Sequence, residues 1–354
     1  MIEFTRMSAK DSQVNIEELA TSEGIWNTEA SDPSDIVLKS SIRYVRNVNG
    51  YKFAHKLDRK KLSCQKILIK LIANIHGCNN FSSYEIDSIS ESEKNIFVER
   101  NILNPDSSSQ GTLLLSDQQD CFFLLCNCDH ILFVTARSGY HFHDIFPFGK
   151  SIIQSIERES DFSFSKSFGY LTANPHKSGA GVEFSITAHL PGLVSSGKIN
   201  ESVVLLEKEG IGLRGSWIDG YYEVYNKYSM GMSEKIIYQN SMKSFDSIIE
   251  TEKESRESSY KENKNLIEDK AWRSYGILLS SRLISLYEAF DLLSNLRLGI
   301  SLGIISYLTI KDINLLLFYI QDFHLKKRYT IEDNTLNMDE VRANFLRDYL
   351  KEVI

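Results

Sequence analysis

Residues 168–194, FGYLTANPHKSGAGVEFSITAHLPGLV, set the reading from which the rest of the chain is organised. Within them, Glu183 to Ala188 is a short apolar run with β-branched and aromatic members, which predicts a strand. Similar runs at Gly111 to Leu115, Cys121 to Asn127, Ile131 to Ala136, Ser202 to Glu207, Leu213 to Trp217 and Tyr221 to Tyr225 predict further strands. The last two are joined through Ile218, Asp219 and Gly220, and Asp-Gly between apolar runs is a strong hairpin cue. Strands that follow one another without intervening helices imply antiparallel pairing.

Helical spacing frames this β-rich centre. Lys60 to Ile75 places Leu62, Ile67, Leu68, Leu71 and Ile72 at threes and fours. From Ser233 onward the pattern is helical again. Glu250 to Lys270 is charged enough to predict a solvated, bridging helix, and Ala271 to Ile354 reads mostly as helix. Residues 1 to about 35 are polar, with a turn-like SDPSD at Ser31 to Asp35, and are expected to form a loose lead-in.

Hydrophobic residues at 42% and charged residues at 25% of 354 are the balance of a soluble globular protein with room for two domains. A net charge of −7 repels phosphate backbones, so no nucleic-acid partner is expected. The longest apolar candidate, Leu298 to Tyr319, is interrupted by Lys311 and Asp312. With no apolar core at the N-terminus either, the expectation is a cytoplasmic protein without a membrane partner. Five cysteines, three of them crowded at Cys121, Cys126 and Cys128, fit reduced thiols better than a disulfide framework.

The opening stretch resembles the GYLT-x-CP-TN-x-GTG-x-R-x-S-x-x-x-HLPxL signature of the ATP:guanidino phosphotransferases, the family of the phosphagen kinases and the bacterial protein-arginine kinase McsB. Gly169, Tyr170, Leu171, Thr172, Pro175, Gly179, Gly181, Ser185, His189, Leu190 and Pro191 are kept. Asn174 stands at the family's substrate-side cysteine, and Glu183 at an arginine that grips phosphate. Ser40 to Asn47 is similar to S-R-x-R-x-A-R-N, with Ser41 at one phosphate arginine and Arg43 retained. Cys126 to Leu132 is similar to NEEDHLR, keeping Asp129 and His130, whereas Cys128 replaces a catalytic glutamate and Leu132 a phosphate arginine. Arg214 and Gly215 match an RG motif after which an acidic loop is deleted. Trp217 falls at a position that is arginine in some members.

The resemblance implies an α+β fold, an antiparallel β-sheet flanked by helices, followed by an all-α C-terminal domain. It also implies transfer of the γ-phosphoryl group of ATP, with Mg²⁺, to a guanidinium. That chemistry needs cations on the triphosphate, a carboxylate on the guanidinium and in-line geometry. Of the arginines that this reading assigns to phosphate, only Arg43 is kept. A charge-assisted hydrogen bond is worth about 1.5–3 kcal/mol, so the losses amount to roughly 6 kcal/mol or more, near a 10⁴-fold weakening of ATP binding. Loss of the general base removes roughly a further 10²–10⁴ in rate. The expectation is a degenerate site with no intact catalytic residue and no cofactor, in a scaffold or phosphoarginine-linked adaptor of protein quality control. The alternative is an active protein-arginine kinase using ATP and Mg²⁺ through relocated residues, with Asp129, Asp219 or Glu223 as its carboxylate.

Leu266 to Ile305 is similar throughout to the helical C-terminal region of the bacterial protein-arginine kinases. Met338, Asp339, Glu340, Val341, Arg342 and Ala343 match the RDxxRA motif that binds phosphoarginine there, with Met338 at the first arginine. Asp339 can accept a guanidinium and Arg342 can meet a phosphate; the pair, three apart, can equally be an intrahelical ion pair. Three regions are therefore expected: a lead-in at 1–35, a phosphotransferase-like domain at 36–255, and a helical dimerisation and phosphoarginine-binding-like domain at 256–354. The partners implied are a second copy of the chain, an McsA-like activator and a ClpC-like unfoldase.

Plainer roles stand beside these. Arg43 and Arg46 are phosphate ligands or strand arginines paired with neighbouring carboxylates. His130 and His189 more ordinarily satisfy core hydrogen bonds. Cys126 and Cys128, on one strand face, lack a second ligand pair and are expected as buried thiols. His141, Phe142, His143 and Asp144 are expected in an exposed loop between Tyr140 and Pro147, and Leu292, Leu293, Leu296 and Leu298 in a helix-packing core. No metal site is expected.

Overall fold

A computed structural model describes residues 16–26, 35–56, 61–75, 81–105, 110–216, 218, 220–331 and 336–353. Trp217 and Asp219, named above as site positions, lie outside the described residues, as does most of the SDPSD turn. The main sheet comprises β1 (Val37–Arg46), β2 (Phe81–Glu85), β3 (Thr112–Ser116), β4 (Cys121–Leu125), β5 (Ile131–Ser138), β8 (Val182–His189), β9 (Ile211–Gly215) and β10 (Tyr221–Asn226). Its strand order is β2-β3-β4-β5-β1-β8-β10-β9, and every pairing is antiparallel. A separate small hairpin joins β6 (Phe164–Ser165) to β7 (Gly169–Tyr170).

Period-two alternation gives the sheet two different faces. On one, Ile42, Tyr44, Phe184, Ile186 and Val224 pack with Ile145, Ile152 and Ile156 of α4 (Phe142–Glu159), Leu68 and Ile72 of α2 (Lys61–Ala73), and Phe245 and Ile248 of α7 (Glu234–Ser280). On the other, Leu113, Leu115, Phe122, Leu124 and Val134 meet Ile96 and Phe97 of α3 (Glu91–Glu99) and Leu19 and Ala20 of α1 (Ile16–Thr21). The stretch expected as a loose lead-in is thus in part core, because α1 carries apolar residues that cover this face. The same face under β1, β8, β10 and β9 is polar and forms the candidate site.

The remaining helices are α5 (Pro191–Ser195), α6 (Ile199–Lys208), α8 (Leu286–Ser301), α9 (Ile310–Tyr319), α10 (Asp322–Arg328) and α11 (Met338–Val353). Helices α8 to α11 and the end of α7 share a second core, which includes Leu292, Leu293 and Leu296 and reaches the sheet through Leu38, Ile218 and Tyr221. Helix α7 starts on Ser233, whose side chain accepts from Ile236 N–H, and departs from helical geometry at Asn263 (φ −129°, ψ 36°). The division between 255 and 256 therefore falls inside this helix. Among the described residues no helix is long and apolar enough to cross a membrane.

Several local expectations are corrected. Ser202 to Glu207 is not a strand but part of α6: a short apolar run suits either structure, and here Ser202 and Leu206, one helical turn apart, are the buried pair. Strand β4 ends at Leu125, and Cys126 adopts φ 53°. Cys126 and Cys128 therefore share no strand face: the first is buried and the second exposed. Phe142 to Pro147 is not a loop but the start of α4, where Phe142 and Ile145 sit on the core-facing stripe. In the segment expected to be solvated, Glu252 and Arg256 are buried as an ion pair, with Nε to Oε1 at 2.7 Å.

Candidate functional site

The register of the strands assembles the site, because residues directly opposite each other point to the same face. Ser41 lies opposite Ser185 and Arg43 opposite Glu183 across the β1–β8 pair. Glu223 lies opposite Thr187 on one side and Arg214 on the other. The approach of β1 to the glycine loop depends on Gly181 (φ 60°), where a Cβ would come within 2.8 Å of the Val45 carbonyl oxygen. That carbonyl-side contact accompanies a bond from Val45 N–H to Gly181 O at 2.9 Å. Any side chain at position 181 would push the Glu183 strand off Arg43.

The face holds a continuous ion network. Arg43 Nη1 donates to Glu183 Oε1 at 2.8 Å and reaches Glu223 Oε1 at 3.4 Å. Lys177, from the loop before β8, binds the other oxygen of Glu183. Arg214 grips Glu223 Oε2 through Nε at 2.9 Å and Nη2 at 2.6 Å. Lys39, two residues before Ser41 on the same strand, donates to Asn101 Oδ1 at 2.5 Å. Ser41 is spent on Ser185, with the two Oγ atoms 2.8 Å apart.

The titration behaviour follows from this arrangement. Burial opposes ionisation of Glu223, but Arg43 and then Arg214 outweigh it and bring its pKa to about 2. Burial likewise opposes the charge on Glu183, and Lys177 and Arg43 hold it below the usual carboxylate range. Arg43 is pushed upward, since Glu223 and Glu183 overcome the cost of its burial. For Lys39, burial and then the neighbouring Arg43 outweigh the attraction of Glu223 and bring it down to about 7. Among the described residues four cations thus face two carboxylates, and each cation is already engaged with a carboxylate or an amide.

The other expected positions lie as follows. Leu132 is half-buried against the apolar cluster of Leu124 and Val134, where it serves as packing surface. Cys128 is exposed beyond the end of β4. Asn174 caps the short turn Pro175–Lys177 by accepting from His176 N–H at 3.0 Å. Asp129 Oδ1 accepts from Asn47 Nδ2 at 2.6 Å and Ala173 N–H at 2.7 Å, which staples the loop after β7 to the end of β1. His130 is buried between Val48 N–H (3.0 Å) and the Lys52 carbonyl (2.8 Å). Arg46 is buried against Glu157, Nε to Oε1 at 3.0 Å, with its guanidinium over the Tyr170 ring.

In the C-terminal motif, Arg342 is buried and nearly saturated. Its Nε donates to Ile320 O at 2.9 Å and its Nη1 to Ile284 O and Asp339 Oδ1, each at 2.8 Å; Nη2 is bound to Asp322. Ala343 is wholly buried, and Met338 packs against the same helical core. Asp339 therefore does serve as an intrahelical partner, and Arg342 joins α11 to α10 and to the chain before α8.

Lys39, Lys177 and Arg214 are site residues that motif matching leaves without a role. Period-two spacing from Arg43 points to Lys39, and Arg214 lies in a matched motif; Lys177 carries no local signal of its position.

A sheet of this order, with a glycine loop packed onto its central strand, defines the guanidino kinase fold. The duplicated taurocyamine kinase of Schistosoma mansoni with bound transition-state-analogue components superimposes with a TM-score of 0.57 at 19% identity, covering 64% of this chain and 35% of that one. The chain thus spans about a third of that duplicated enzyme's length. Lombricine kinase gives 0.55 at 17% identity, covering 64% and 68%. Residues 63–255, more than half of the chain, match the family described as ATP:guanido phosphotransferase, C-terminal catalytic domain, and the chain belongs to that family. Residues 264–354 match the protein-arginine kinase McsB C-terminal domain. Its relatives include the protein-arginine kinases of Bacillus cereus strain ATCC 10987, 31% identical over 291 residues, and of Bacillus anthracis strain A0248, 32% identical; in each case the match covers 79% of this chain and 82% of the relative.

Proposed function

We propose that this protein-arginine kinase homologue is a pseudokinase: its phosphoryl-transfer site has become an internally paired ion network, and it acts as a scaffold in protein quality control. The observation that carries this reading is the bond between Arg43 and Glu183, two side chains at positions the family gives to arginine. A triphosphate that recruited Arg43 would strip a partner from Glu183, which is only 3% exposed. Lys177 would remain on Glu183, so the cost is part of the roughly 3–5 kcal/mol of a fully uncompensated buried charge, and Ser41 and Leu132 return nothing to the phosphates. The engagement of Arg342 by two carboxylates and two carbonyls favours the scaffold over a phosphoarginine-linked adaptor. A cytoplasmic location, a homodimer through the helical region, and McsA-like and ClpC-like partners belong to the same proposal.

A second reading is favoured by the surplus of cations. Lys39, Lys177 and Arg214 stand beside Arg43, and Glu223 is a carboxylate on the same face. In an active kinase these would replace the lost ligands for ATP and Mg²⁺. One experiment separates the two: calorimetric titration of the pure protein with ATP and Mg²⁺, alongside transfer of labelled γ-phosphate to arginine in a protein substrate. The expected result is no saturation in the micromolar range and no acid-labile label. Micromolar binding with label on arginine would overturn the pseudokinase.

A further inference from the structure

His141, His143 and Asp144, at the start of α4, take no part in the polar face of the sheet. One ligand atom from each lies within 4.8 Å of the other two. His141 Nδ1 is 3.5 Å from Asp144 Oδ2, and His143 Nε2 is 3.4 Å from Asp144 Oδ1. A tetrahedral zinc ion with ligand bonds of about 2.0–2.1 Å keeps its ligand atoms roughly 3.3 Å apart, close to the two His–Asp spacings, which run to different oxygens of the carboxylate. A second observation points the same way. His141 Nδ1 is buried and makes no well-formed hydrogen bond, Asp144 Oδ2 lying 3.5 Å away, so the atom is poorly satisfied unless something binds it. The residue is held in place through its backbone, whose N–H donates to Ser40 Oγ at 3.1 Å.

We propose that His141, His143 and Asp144 form a binding site for a divalent transition-metal ion of the zinc type, with the fourth position left to water or an incoming ligand. Two imidazoles and one carboxylate suit zinc, nickel or copper, whereas magnesium and calcium take oxygen ligands. His143, 75% exposed, leaves the site open to solvent. Arg137 is the opposing group. Its Nη1 bonds Asp144 Oδ2 at 2.9 Å, and both side chains are more than 40% exposed. A surface pair of this kind is weak, so the ion displaces it, while the guanidinium charge lowers the affinity.

The test titrates Zn²⁺ into the chelator-stripped full chain by calorimetry, in a Cys128→Ser background so that the exposed thiol does not compete. A saturable site is expected in that background. It weakens at least about tenfold in His143→Ala and in Asp144→Asn. Both alter exposed side chains, and circular dichroism verifies that the fold is kept. Arg137→Gln binds as tightly or more tightly, and Mg²⁺ produces no saturable heat. Zinc binding unchanged in His143→Ala and Asp144→Asn, weaker binding in Arg137→Gln, or no saturation at about 100 μM zinc overturns the proposal.

Discussion

Glu223 is the joint between Arg43 and Arg214, so Glu223→Gln tests whether the network holds the site together. Its carboxyl is brought from 4.5 to about 2, and the side chain is only 15% exposed, so solvent screening removes little of the effect. At about 1.4 kcal/mol per pKa unit, the ionised form contributes about 3 kcal/mol at pH 7. The sign follows from the depressed value: the contribution is fully present above the unfolded pKa near 4.5 and is lost as pH falls through about 2. At pH 3.5 the same linkage leaves about 2 kcal/mol. Urea unfolding of wild type and Glu223→Gln should therefore show a gap of about 3 kcal/mol at pH 7 that narrows by about 1 kcal/mol at pH 3.5. A gap below about 0.5 kcal/mol at pH 7, or one that does not change with pH, would refute the reasoning. Glu223 would then be a solvated surface charge, and Arg43 would be correspondingly freer to meet phosphate.

Two other perturbations follow from the same geometry. Arg342→Ala leaves the Ile284 and Ile320 carbonyls without this donor, at about 1–3 kcal/mol each; a loss of about 2–6 kcal/mol in urea unfolding is expected, with no thermal shift from phosphoarginine in either protein. A shift in wild type that disappears in the variant would instead make Arg342 a ligand-binding residue. Glu183→Arg sets like charges opposite Arg43 and beside Lys177, so the melting temperature should fall by an amount corresponding to about 3–5 kcal/mol. Tripolyphosphate should restore part of that loss in the variant and leave wild type unchanged; equal melting of the two proteins without ligand would count against the pairing.

Much of the sheet is legible in the sequence because its strands are short, apolar and bounded by turn formers. Ile131 to Ala136, Glu183 to Ala188 and Tyr221 to Tyr225 all lie within β5, β8 and β10. Ser202 to Glu207 misleads because four consecutive apolar residues fit a strand or a helix, and only packing separates them. His141 to Asp144 misleads because Pro147 reads as a helix breaker, yet it sits inside α4 without ending it. The site is less legible than the sheet. That Glu183 is an acid at an arginine position is visible locally; that it pairs with Arg43 depends on a strand register across 140 residues. Arg342 shows a similar limit, since its i−3 partner Asp339 is visible in the helix pattern, whereas Ile284 and Ile320 come from distant segments.

The exchange at position 183 is better understood as a gain of internal pairing than as a simple loss. Two arginines opposite each other on neighbouring strands repel unless an anion lies between them, so a site built to hold phosphate is least stable when empty. A glutamate there supplies an anion permanently: Arg43 and Lys177 are both paired to it within the chain itself. Leucine at 132 and serine at 41 act in the same direction, one joining the apolar cluster under α3 and the other bonding Ser185. On the proposed reading, each replacement lowers the need for a nucleotide in the folded state. The cation surplus that remains comes from Lys39 and from Arg214, which is half exposed. Lys39, with a pKa near 7, gives up much of its charge at neutral pH. Among the described residues the face thus keeps a surplus of only one to two positive charges, the rest being paired internally, which weakens the case for a polyphosphate-binding cleft.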